Sequence, residues 1–92
     1  MLDCFDLGDP GGEPLYSFHE RLLTPLGGAL ARLEAQCGVA LDPYGRTRLY
    51  PSQIELLLGF MNQAEASDEL AGLLEFLAAR VAAGAGVRIE GE

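Results

Sequence analysis

The chain is predicted to be an α+β protein, mainly α-helical, with three to four helices packed on a small sheet of two or three strands. Three observations lead there. Apolar residues recur at three- and four-residue intervals over 15–37, 51–63 and 68–83, the spacing of one helix face. Residues 46–50 and 86–90 alternate instead, and Gly and Pro punctuate the joins. Finally, 92 residues at 49 % hydrophobic content supply one small core, with no length left for a separate cofactor domain. A single domain over 1–92 is expected.

Residues 1–7 read as a short strand or an arm. The following Gly-Asp-Pro-Gly-Gly-Glu-Pro at 8–14 is a turn-rich separator, so the expected N-terminal unit is 1–14. From Leu15 the apolar positions are Leu15, Phe18, Leu22, Leu26, Ala29, Leu30, Leu33 and Cys37, which predicts a helix over 15–37. Pro25 interrupts it. A proline has no N–H for an interior turn, so the helix either kinks at Pro25 or restarts there with Thr24 as N-cap. The stripe keeps its register across the proline, which favours a bent or nearly collinear arrangement over a change of direction. Gly38 ends the element as a helix-terminating glycine does.

Asp42-Pro43-Tyr44-Gly45 marks a turn before the strand at 46–50. Thr47 and Leu49 share one face of it, and Arg46, Arg48 and Tyr50 the other. Pro51 suits the first position of a helix, and Ile54, Leu57, Leu58 and Met61 give the stripe of a helix over 51–63. Ser67 is the expected N-cap of the helix at 68–83, with Asp68 and Glu69 in its first turn. Leu70, Leu73, Leu74, Leu77 and Val81 form its buried face. Gly84-Ala85-Gly86 stops it, and Val87-Arg88-Ile89-Glu90 alternates as a last strand able to pair with 46–50.

Fourteen acidic residues face six basic ones, all arginine, for a formal net charge of −8. Such a chain repels phosphate and anionic lipid and attracts cationic partners, so nucleic acid and membrane are not expected as partners. Asp3, Asp6, Asp9 and Glu13 concentrate the charge at the N-terminus, with no positive side chain before Arg21. The start lacks the basic and apolar regions of an export signal, and no apolar run reaches the roughly 20 residues that span a bilayer. A cytoplasmic location follows as an expectation, with Cys4 and Cys37 as free thiols.

No catalytic, cofactor or metal constellation is legible. His19 is the sole histidine, and its neighbour Glu20 points elsewhere on a helix, so the two make no acid–base dyad. Cys4, Cys37 and His19 lack the paired spacing of a zinc site, and Asp3, Asp6 and Asp9 lack the glycine and terminal glutamate of a calcium loop. Gly8-Asp9-Pro10-Gly11-Gly12 is not followed by the Gly-Lys-Ser/Thr that cradles phosphate. Ser52 and Ser67 lack the Asp-Ser-Leu context of an acyl carrier protein. An enzyme is the least expected reading. The local pair Arg46 and Arg48 differs in kind: between Tyr44 and Tyr50 it has the composition of a protein-contact surface.

Tyr16-Ser17-Phe18-His19-Glu20-Arg21-Leu22-Leu23, followed by Leu41-Asp42-Pro43-Tyr44-Gly45-Arg46-Thr47-Arg48-Leu49-Tyr50-Pro51-Ser52-Gln53-Ile54, together with size and acidity, gives a layout that resembles small bacterial immunity proteins. Those are encoded beside polymorphic toxins of contact-dependent and type VI secretion systems. The resemblance implies a non-catalytic protein that neutralises a cognate toxin by blocking its active site or substrate access, the toxin having a basic cleft. No binding residue is carried over from the family. The residues themselves give a contact surface drawn from Asp3, Asp6, Asp9, Glu13, Asp42, Tyr44, Arg46, Arg48 and Tyr50. An adaptor or chaperone, as a homo-oligomer or not, is the alternative; Leu23, Leu56, Phe60 and Phe76 would widen the apolar stripes into its docking surface. A mimic of nucleic acid would need acids along one continuous face, and here Ala, Gly and Arg interrupt them.

Overall fold

The computed structural model describes residues 1–8, 12–42, 44–61 and 67–91. In chain order the elements are β1 (Leu2–Asp6), β2 (Tyr16–Phe18), a 3₁₀ turn (Glu20–Leu22), α1 (Leu23–Cys37), β3 (Arg46–Leu49), α2 (Pro51–Phe60), α3 (Asp68–Ala82) and β4 (Val87–Gly91). The strands form one antiparallel sheet in the order β2-β1-β4-β3. All three helices lie on one side of it. Leu2, Cys4, Phe18, Leu49, Val87 and Ile89 from the sheet join Leu26, Leu33, Ile54, Leu57, Leu73 and Leu77 from the helices in one buried cluster. Among the described residues no helix is long and apolar enough to cross a membrane.

Four strands and three helices correct the expected fold, in which the sheet had two or three strands and the helices dominated. The difference lies in residues 1–22. Leu2 and Cys4 are buried while Asp3 between them is not, the alternation of a strand covered on one side. Phe18 and Tyr16 pair with Leu2 and Cys4, so these aromatics belong to a sheet edge. The helix expected to start at Leu15 starts at Leu23. The four-residue step from Phe18 to Leu22 is crossed by an extended His19 and the 3₁₀ turn, with His19 Nδ1 accepting from Arg21 N at 3.0 Å.

Pro25 is the third residue of α1, where its missing N–H has no intrahelical acceptor to leave empty. The helix therefore begins two residues before the proline, with Leu22 and not Thr24 at its N-cap. Gly38 closes α1 in the left-handed region, φ 74°, and donates its N–H to Glu34 O at 2.8 Å. Pro51 opens α2, and the Gln53 side chain accepts from Tyr50 N at 2.9 Å. α2 ends at Phe60, and residues 62 and 63 of the helix expected over 51–63 lie outside the described residues. Ser67 caps α3, its hydroxyl accepting from Leu70 N at 3.2 Å.

Two contacts join the ends of the chain. Arg80 on α3 pairs with Asp6 at the end of β1 and donates to Gly86 O at 3.0 Å, just before β4. Gly86 itself fits against backbone: a Cβ there would stand 2.5 Å from Leu49 O and 2.7 Å from Leu7 Cδ2. Cys4, wholly buried in β1, has its thiol pushed up to about 12 from 9.0, first by burial and then by the charge of Asp3.

Three outcomes follow. Gly86→Ala should lower stability by at least about 2 kcal/mol, because backbone has to move, whereas Gly27→Ala, at an open helical position, should raise it by about 0.5–1 kcal/mol. Urea midpoints of the two variants test both signs. A thiol that ionises near 9.0 when unfolded and near 12 when folded favours the unfolded state between those values. Stability should fall by up to about 1.4 kcal/mol per pH unit above pH 9, an alkaline slope that Cys4→Ala should reduce. A thiol reagent at pH 8 should modify Cys37, which is half-buried, long before Cys4.

Candidate functional site

The side of the sheet opposite the helices is open, and strand register decides which side chains share it. Ser17, Asp3, Glu90 and Arg46 lie side by side across β2, β1, β4 and β3, and Phe5, Arg88 and Arg48 form the next row. Ser17 donates its hydroxyl to Asp3 Oδ1 at 2.6 Å. Glu90 is the hub of the face: Arg46 Nε stands 2.8 Å from its Oε1 and Arg88 Nε 3.0 Å from its Oε2. The Arg88 guanidinium also lies over the Phe5 ring, 4.7 Å from the centroid, a cation–π arrangement. At 7 % exposure Arg88 is a buried charge on an otherwise solvent-facing surface.

Arg48 differs from its neighbours. It is exposed, stands directly opposite Arg88, and has no ion pair among the described residues. Like charges facing across a ladder cost energy unless a counter-charge arrives. Among the described residues this face holds three arginines and two carboxylates, while the other three arginines share the rest with nine acids. The chain is therefore polarised, a cationic strip on a strongly acidic body.

Tyr44 and Tyr50 flank β3 and are the most exposed tyrosines, 75 % and 52 %. Asp42 sets up this end of the site: its Oδ1 accepts from Tyr44 N at 2.9 Å, its carbonyl from Gly45 N at 3.3 Å, and its own N–H donates to Thr47 Oγ1 at 3.0 Å. Its role is to hold the turn that presents Tyr44 and β3.

Of the residues expected to make contact, Tyr44, Arg46, Arg48 and Tyr50 thus come together around β3, with Asp3 on the same face two strands away. Asp6 faces the helices and is engaged by Arg80, so Asp3 and Asp6 lie on opposite sides of the sheet. Glu13 is exposed in the connection before β2, and Asp9 lies outside the described residues. Phe5, Ser17, Arg88 and Glu90 were missed. The signal for two of them was present: once 46–49 pairs with 87–90 and Leu49 and Val87 point inward, Arg88 and Glu90 must point the same way as Arg46 and Arg48.

The apolar side chains of the adaptor alternative divide. Phe76 stacks on Tyr16, centroids 5.0 Å apart, and is used in packing α3 beneath β2. Leu56 and Phe60 line a shallow groove on α2 with Ser52, Glu55 and Gly59. Among the described residues, no three His, Cys, Asp or Glu side chains are grouped to hold a metal.

Removing the hub should matter more than removing its exposed arm. Glu90→Gln should cost about 1–3 kcal/mol, since it strips the buried Arg88 of its carboxylate. Arg46→Ala, a pair 77 % exposed on the arginine side, should cost about 1 kcal/mol or less; denaturant titration of both variants checks the order. No protein-family model, curated protein or solved structure matches this chain.

Proposed function

We propose that this chain is a non-catalytic protein-binding domain that neutralises a protein toxin, with the surface around β3 as the centre of contact. The observation that carries the reading is the exposed Tyr44-Arg46-Arg48-Tyr50 strip. Tyrosine and arginine bury large amphipathic area at low conformational cost, which is why they dominate binding energy where proteins meet. The acidic body supports it through rate: a field of net charge −8 speeds encounter with a cationic partner, as interception of a toxin requires. The open sheet face then supplies a flat platform whose arginines and carboxylates are already held in register.

The test is co-expression with the product of the neighbouring reading frame, scored by rescue of growth and by co-purification. Rescue and a stable complex are expected. The double substitution Tyr44→Ala with Tyr50→Ala should weaken the complex by at least tenfold, about 1.4 kcal/mol, with an unchanged circular dichroism spectrum. A neighbouring product that is harmless, or toxic but unbound, overturns the reading.

A further inference from the structure

We propose that the free edge of β3 receives an acidic, extended segment of the partner as a fifth strand of the sheet, a mode of docking that rests on the binding reading above and specifies it. β3 is an edge strand. Gly91 N donates to Gly45 O at 2.9 Å, which sets the phase of the β3–β4 ladder. In an antiparallel pair, alternate residues direct their backbone groups to the neighbour, so Gly45, Thr47 and Leu49 serve β4 while Arg46 and Arg48 direct N–H and C=O to the other side. Among the described residues no hydrogen bond engages those groups. The positions on either side are closed: Tyr44 N donates to Asp42 and Tyr50 N to Gln53. The unpaired stretch is therefore short and bounded, bracketed by the two exposed tyrosines.

The side chains say what can lie there. A strand added to this edge places its outward residues opposite Arg46 and Arg48. Arg46 already shares Glu90, so the position opposite it is undemanding. Arg48 faces Arg88 on its β4 side and needs negative charge on the other. A glutamate or aspartate opposite Arg48 completes that row, and main-chain hydrogen bonds supply affinity independent of sequence. A second copy of this chain is a poor occupant, because β3 against β3 sets arginine beside arginine and brings two bodies of charge −8 together.

The probe is a short capped peptide of alternating valine and glutamate, titrated into the full ¹⁵N-labelled chain. The Arg46 and Arg48 amides should shift and their hydrogen exchange slow by at least tenfold, with little change at Thr47 and Leu49. A lysine-for-glutamate peptide should bind at least tenfold more weakly, and so should a peptide N-methylated on its edge-facing amides. Arg48→Glu should reverse the preference between the glutamate and lysine peptides, and Arg48→Pro, which removes an edge N–H without touching the ladder to β4, should abolish protection. The proposal is overturned if the glutamate peptide leaves both amides unmoved, if the N-methylated peptide binds equally well, or if the amides shift on self-association without peptide. A toxin complex lost with the tyrosine pair but indifferent to Arg48→Glu keeps the binding reading and removes strand addition. Peptide protection at β3 with no toxin bound does the reverse.

Discussion

β4 lies between β1 and β3, and its two ladders are the interaction on which the rest depends. Through them the first and last described strands of the chain become neighbours, Leu2 beside Gly91 and Asp6 beside Val87. The register sends Leu2, Cys4, Leu49, Val87 and Ile89 toward the helices and leaves Asp3, Phe5, Arg46, Arg48, Arg88 and Glu90 on the other side. A slip of one residue would exchange these sets, placing arginines against the leucine core. Gly86 and the Arg80 contacts to Asp6 and the Gly86 carbonyl guard against it, because they tie the start of β4 to α3 and to β1.

The same ladders sort the charge. A net of −8 distributed evenly would give every surface the same sign, yet the open face gathers half of the arginines. Long-range attraction and short-range contact are thereby divided between two parts of the molecule. The body's field acts before contact, over a Debye length of about 8 Å in physiological salt. The strip acts only on contact, through the arginine and tyrosine side chains along β3.

Where a segment's pattern had one reading, sequence and structure agree closely. Leu70, Leu73, Leu74 and Leu77 are the buried residues of α3, Ser67 caps it, and Thr47 and Leu49 are the buried residues of β3. At residues 16–22 the pattern fits two structures. Phe18 and Leu22 fit a helix stripe, but Tyr16 and Phe18 equally fit a strand, and the choice depends on an edge supplied by β1, twelve or more residues upstream of them. The site was legible to the same degree. Tyr44, Arg46, Arg48 and Tyr50 are local in sequence and so legible as one candidate strip, while Phe5, Arg88 and Glu90 join it only through pairing across the whole chain.

That dependence on distant pairing has a consequence in time. A chain growing from its N-terminus can form α1, α2 and α3 as it emerges, but β1 has no central neighbour and β3 no inner one until residues 87–91 have been made. Contacts of such sequence separation close late and slowly. The row around β3 is thus not assembled on a nascent chain, in which Arg46 and Arg88 do not yet share Glu90. An interrupted chain therefore lacks the whole row of side chains across the open face and not merely its last strand.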